Sequence, residues 1–329
     1  MSKRSRTLKK ARRHAAPGRP VTKVRGASDT LALVPYLFGF VPVESLVVIS
    51  LQRGGKQFGP MLRLDLPEPE DREMVADQMM VVLRRQQLTR AVVAVYSSEP
   101  EVADPFARLV LDRLRSQRVE VVDAFRGDGR RWWSYVCGDP WCCPAGGTEY
   151  DAGASPAALD AVLAGMTKAP DRDALRGQFA ADPVARAVVA REVAVLRQEG
   201  VSPMRTDEIA ALVPRVLDGA ELSPREQAHL LLSLSLLPQR DEVWGAMRRD
   251  TAERHLERWR VLMRAAPDEL LAPIGSLTAF AAWLSGRGVL ASHAVDRVLG
   301  VRPDYSMALL VQRALETAVD PREWSSWTG

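Results

Sequence analysis

The sequence predicts an α/β half followed by an all-α half: a mixed β-sheet with flanking helices, then a helical domain ending in a tetratricopeptide-like helical hairpin. Three observations carry this reading. Residues 28–151 alternate short β-branched apolar runs with stretches of helical periodicity. Residues 155–329 keep the helical periodicity and show almost no strand signal. Between them stands WWSYVCGDPWCCPAGGTEYD, Trp132 to Asp151, which holds all three cysteines and three of the eight tryptophans. The expected organisation is a disordered basic tail over 1–27, a mixed α/β domain over 28–151 ending in the cysteine turn, and an α-helical domain over 152–329.

Residues Ser28 to Phe38 read as a short helix with Ser28 or Asp29 as its cap. GFVPVE breaks it, and SLVVISL (Ser45 to Leu51) is a β-branched apolar strand. QRGGKQFG reads as a hairpin connection in which Gly54-Gly55 supplies positive φ. PMLRLDLP returns as a second strand, with Arg63 and Asp65 on one face and Leu62, Leu64 and Leu66 on the other. Glu70 to Gln87 is an amphipathic helix, Ala91 to Tyr96 a buried-type strand, and Pro100 to Gln117 another helix. Val119 to Phe125 is a further strand, and RWWSYVC is the last. The order β-β-α-β-α-β-β folds as one mixed sheet with helices packed against it.

In the second half, SPAALD at Ser155, SPMRTDE at Ser202 and SPREQ at Ser223 signal helix starts. Each places a capping Ser before a Pro at the first helical position, where the missing N–H costs nothing. Residues 223–237 are apolar on most sides, through Leu230, Leu231, Leu232, Leu234, Leu236 and Leu237, which predicts a central helix. Further helices are expected at 241–265, 267–286, 289–298, 304–318 and 321–326. LASHAVDRVLGVRPDYSMALLVQRAL is a helix, a Pro-Asp-Tyr break and a helix, spaced like one tetratricopeptide unit. A single unit cannot bury its own face, so it must pack on the rest of the domain.

Charge is unevenly placed. Residues 1–25 carry ten Lys or Arg and no acid; removing them from the net charge of +4 leaves −6 for the remainder. The tail has no apolar periodicity, so burial cannot offset its ordering entropy. Lys3, Arg4, Arg6, Lys9, Lys10, Arg12 and Arg13 would attract nucleic acid or another polyanion by counterion release, without reading sequence; the alternative is a solvated extension. No apolar run approaches the length of a membrane span and no secretory signal is visible, so no membrane contact is expected. Three cysteines in a chain of 329 residues do not form a secreted disulfide framework, and a cytoplasmic, reducing compartment fits.

Familiar catalytic signatures are missing. There is no G-x-G-x-x-G, no G-x-S-x-G and no H-E-x-x-H, and RGGK at 53–56 is followed by Gln57 rather than by the Ser or Thr of a phosphate loop. Glu226 and His229 form one E-x-x-H, but a di-iron site needs a second pair. Glu226 also stands three residues after Ser223, as the acid of a capping box. Arg63 and Asp65 lie roughly 7 Å apart on one strand face, either as an ion pair or as the wall of a site. Cys137, Cys142 and Cys143, with Asp139 between them, have the spacing C-x4-C-C. They fit four readings: a zinc site short of one ligand, a Cys137–Cys142 disulfide, a reactive thiol, or soft side chains in a turn packed by Trp132, Trp133 and Trp141. On an extended backbone the side chains of Cys142 and Cys143 would point apart, and both binding one ion needs an unusual turn.

Four stretches together resemble one family. ALVPYLFGFVPVESLVVISL, RLDLP, RWWSYVCGDPWCCPAGGTEYD and AAWLSGRGVLASHAVDRVLGVRPDYSMALLVQRALETAVDPREW are similar to the actinobacterial domain-of-unknown-function family numbered 4192. The resemblance runs from about Ser28 to Trp327. Its most specific part is W-x-Y-x-C-x4-C-C-P, present as Trp133, Tyr135, Cys137, Cys142, Cys143 and Pro144. It implies an actinobacterial or actinophage setting and a two-part architecture, and it carries over no catalytic residue. Three functions follow as expectations. The first is an interaction or regulatory protein with an unknown protein partner and a polyanion-attracting tail. The second is an enzyme or small-ligand binder with a site between the halves, walled by the cysteine turn and by Arg63 or Asp65. The third is a cysteine-based metal or redox module, with zinc as the cofactor.

Overall fold

A computed structural model describes residues 23–52 and 57–326. The basic residues Lys3 to Arg13 and the Gly54-Gly55 turn therefore lie outside the described residues.

The N-terminal half is a six-stranded mixed sheet of order β2-β1-β3-β4-β5-β6. It comprises β1 (Ser45–Gln52), β2 (Gln57–Asp65), β3 (Arg90–Tyr96), β4 (Glu120–Gly127), β5 (Arg131–Ser134) and β6 (Thr148–Glu149). Only β3 and β4 are parallel; the crossover between them is α3 (Pro100–Ser116). The other pairs are antiparallel. Strands β1 and β3 read as continuous apolar runs because both faces of the central sheet are covered. Leu46, Val48, Ala91, Val93 and Val95 face a core shared with α2 (Arg72–Arg85) and α3. Val47, Ile49, Val92, Ala94 and Tyr96 face α1 (Ala27–Phe38).

The predicted strand RWWSYVC is cut short at Ser134. The Ser134 hydroxyl accepts from the backbone N–H of Cys137 at 2.9 Å and of Val136 at 3.2 Å. This local turn competes with the ladder and bends the chain off the sheet.

The second half is helical, as expected: α4 (Pro156–Leu163), α5 (Arg172–Gly177), α6 (Pro183–Gln198), α7 (Thr206–Leu217), α8 (Pro224–Leu234), α9 (Leu237–Ala246), α10 (Ala252–Ala265), α11 (Asp268–Leu284), α12 (Gly288–Val301) and α13 (Ser306–Glu316), then a 3-10 turn at Pro321–Ser326. The Ser155 and Ser223 caps form as expected, and Glu226 accepts from the Ser223 backbone N–H at 2.8 Å. Ser202 does not cap a helix; α7 begins at Thr206. The intervening segment is instead pinned to α8, where Met204 N–H donates to Ser233 Oγ and His229 Nε2 meets the Ser202 carbonyl.

Two further boundaries differ from expectation. The central helix is α11, in which every residue from Leu270 to Leu284 is buried, whereas Leu236 and Leu237 are exposed. There Pro238 stands in the first turn of a new helix, so α8 cannot run on. The helix expected at 241–265 breaks at 247–251, where Thr251 Oγ1 accepts from Arg248 N–H and donates to the Arg248 carbonyl. The last two helices pack on each other and on α11, the cover that a lone hairpin requires.

The halves are stitched together by named residues. Phe40, just after α1, is fully buried in the helical core with Leu175 and Phe179. The Ser155 hydroxyl donates to buried Asp29 at 2.8 Å. Arg172 of α5 reaches Asp65 at 3.6 Å. No helix among the described residues is long and apolar enough to cross a membrane.

Candidate functional site: the cysteine turn

The turn leaves β5, loops through residues 137–147 and returns as β6. Its backbone is not extended at the adjacent cysteines. The N–H groups of Cys142 and Cys143 both donate to the Asp139 carbonyl, at 3.2 and 2.7 Å. That single helical-type turn swings the two side chains to the same side, and it is the departure from extended backbone that binding of both to one ion requires. The Sγ atoms of Cys137, Cys142 and Cys143 all lie within 4.8 Å of one another, and Cys142 and Cys143 are 3.8 Å apart. A tetrahedral ion with metal–sulfur bonds of about 2.3 Å holds its thiolates about 3.8 Å apart. All three cysteines are free.

The turn is not a buried plug. Cys142 is exposed, Cys137 and Cys143 are half-buried, and the Trp141 side chain is 97% exposed. Trp141 therefore does not pack in the turn as expected. The other aromatics do pack, because β5 anchors them. Trp132 lies edge-on to Phe125. Trp133 sits over the Arg126 guanidinium, and its Nε1–H donates to the Ala145 carbonyl at 3.1 Å. Tyr135 donates to Asp104 at 2.7 Å, and Asp104 also pairs with the buried Arg126 at 3.4 Å. Arg131 holds the far side of the loop, donating to the Gly146 carbonyl at 3.0 Å and pairing with Glu149.

The electrostatics of the thiols differ. Cys137 is held below its ordinary value, first by the Asp139 backbone N–H donated to its sulfur and then by the Cys143 thiol. Cys143 is pushed up to about 12, first by burial and then by the hydrogen bonds it makes to its two neighbours. Burial, then the bond to Asp104, raises the Tyr135 hydroxyl, so it stays a donor. The Asp139 carboxylate accepts from Trp141 N–H at 2.9 Å and does not join the sulfur cluster. Among the described residues the ligand set is three sulfurs.

Arg63 and Asp65 lie elsewhere. Strand β2 is separated from β5 by β1, β3 and β4, a distance of roughly 19 Å at the usual strand spacing. Arg63 stacks over Phe40 and pairs with Asp65, which also meets Arg172. This is a joint between the sheet and the helices, remote from the thiols. Sequence reasoning missed Asp104 and Arg126, whose only signal is a charged residue ending an apolar strand and an acid in the first turns of a helix.

No curated protein and no solved structure matches the chain. Residues 28–322 match the family described as Domain of unknown function (DUF4192), a span that contains the sheet, the cysteine turn and nearly all of the helical half. The chain belongs to that family.

Proposed function

We propose that the turn is a thiolate metal centre, with Cys137, Cys142 and Cys143 holding one zinc ion. One observation carries the reading: three sulfurs gathered within 4.8 Å, two of them at the spacing of a tetrahedral edge. Three protein ligands leave one coordination position for water or an exogenous donor, the arrangement of exchangeable rather than closed sites. The surrounding residues orient the ligands. Trp133 and Arg131 fix the loop, and the Asp139 N–H bonds the Cys137 sulfur. The reading carries with it a reducing, cytoplasmic compartment, where free thiols persist.

The test is metal content with free-thiol titration on protein purified without chelator. One zinc per chain with three masked thiols is expected, and Cys142→Ser should lower the zinc content. Absence of metal, with three freely reactive thiols after added zinc, would overturn the reading. A second reading, an interaction platform, is favoured by the exposed Trp141 at the tip of the same turn. There, Trp141→Ala would weaken association with a protein partner and leave zinc content unchanged.

A further inference from the structure

A cavity of about 270 Å³ opens between α7, α9 and α10. Its walls are apolar for the most part, from Val213, Pro214 and Leu217 on α7 to Val243 and Ala246 on α9. The polar group at its edge is unusual. His255 is 1% exposed, and the Trp259 Nε1–H donates to its Nδ1 at 2.9 Å. A ring nitrogen that accepts carries no proton, so the neutral imidazole is protonated on Nε2. Nε2 makes no hydrogen bond among the described residues, and His255 lines the cavity. Burial, assisted by Arg254, lowers the imidazole to about 4, so it remains a neutral donor at ordinary pH.

The other polar groups narrow the ligand further. Arg254 is engaged with Asp218 at 3.2 Å, and Thr251 is engaged with the Arg248 backbone. Glu242 forms no hydrogen bond or ion pair among the described residues. The cavity thus presents the buried His255 donor and, in Glu242, a carboxylate with no hydrogen bond or ion pair among the described residues, on an apolar bed.

We propose that this cavity binds a small uncharged amide, whose carbonyl accepts from His255 Nε2–H and whose N–H donates to Glu242. A carboxylate of the same shape is disfavoured, because it would meet Glu242. The site is independent of the thiol centre, which lies in the other half of the chain.

Benzamide is the probe, titrated into the full-length protein labelled with 15N-tryptophan. The Trp259 indole N–H, bonded to the same imidazole, is the reporter. A saturable shift with a millimolar dissociation constant is expected, the range for a ligand of this size, and benzoate should bind at least about tenfold more weakly. Ala246 is exposed at the end of α9, so Ala246→Phe fills the cavity without entering the core and should abolish the shift. Failure of benzamide to saturate, equal binding of benzoate, or unchanged binding in Ala246→Phe would each overturn the proposal.

Discussion

The guanidinium of Arg126 lies 4.1 Å from the centre of the Trp133 ring. Arg126 is almost wholly buried at the end of β4 and Trp133 stands on β5, so this contact couples the sheet interior to the thiol loop. A desolvated cation–π contact contributes about 2 kcal/mol. Trp133→Leu removes it together with the tether to Ala145. The expected outcome is a loss of about 2 kcal/mol in urea unfolding and, at the proposed zinc site, binding weakened about tenfold, the effect of removing a residue that orients metal ligands. Unchanged zinc affinity in this variant would show that the loop holds its thiols without the indole.

Gly147 closes the same loop at φ +77°, and a Cβ there would sit 2.6 Å from the Trp133 ring. Gly129 also has positive φ, at +96°, but a Cβ there meets nothing within 4 Å. Left-handed backbone alone costs an L-residue about 1–2 kcal/mol. Gly129→Ala should show that cost and no more. Gly147→Ala should exceed it, because the ring must move and with it the bond to Ala145. Equal losses of stability in the two variants would refute the contact.

How much of this was legible in the sequence depends on range. Strands β1 and β3 announce themselves because burial on both faces leaves nothing but apolar residues to see, and the Ser155 and Ser223 caps are local signals with local causes. The Ser202 start fails because a tertiary partner, Ser233, takes the backbone N–H that a new helix would have used. The cysteine cluster was visible as spacing, but its geometry was not. Whether Cys142 and Cys143 diverge or converge is decided by one carbonyl, that of Asp139, accepting two N–H groups. Arg126 and Asp104 become partners only when α3 lies on β4, a juxtaposition that no periodicity encodes.

Two aspartates link the halves with unequal force. Asp29 is 6% exposed and accepts from the Ser155 hydroxyl at 2.8 Å and from the Arg25 backbone N–H at 2.9 Å. Hydrogen bonds to a charged group contribute about 1.5–3 kcal/mol, so Asp29→Ala should destabilise the protein by about 2 kcal/mol. Asp65 is largely exposed and pairs with Arg63 and Arg172. Solvent-screened pairs contribute at most about 1 kcal/mol, so Asp65→Asn should fall below that. Thermal unfolding of the two variants side by side checks the order, and a larger loss for Asp65→Asn would invert the assignment.

Acid should destabilise the helical half earlier than carboxylate protonation would. The unfolded His255 imidazole titrates near 6.5 and the folded one near 4, so between those values the unfolded chain binds the extra proton. Stability from this group is full above pH 6.5, falls as the pH drops through the window, and levels off below about 4. The full swing is on the order of 3 kcal/mol. The structural event is specific: a proton on Nδ1 turns the acceptor for Trp259 into a second donor, and two N–H groups then face each other. Arg254 adds repulsion. Buried His293, lowered first by burial and then by Arg172 and Arg176, shifts stability in the same direction. Urea unfolding at about pH 7.5 and about pH 4.5 should therefore show a clear loss in the wild-type chain. In His255→Gln the loss should shrink to the part that His293 and the carboxylates supply, and an undiminished loss would assign the acid sensitivity elsewhere.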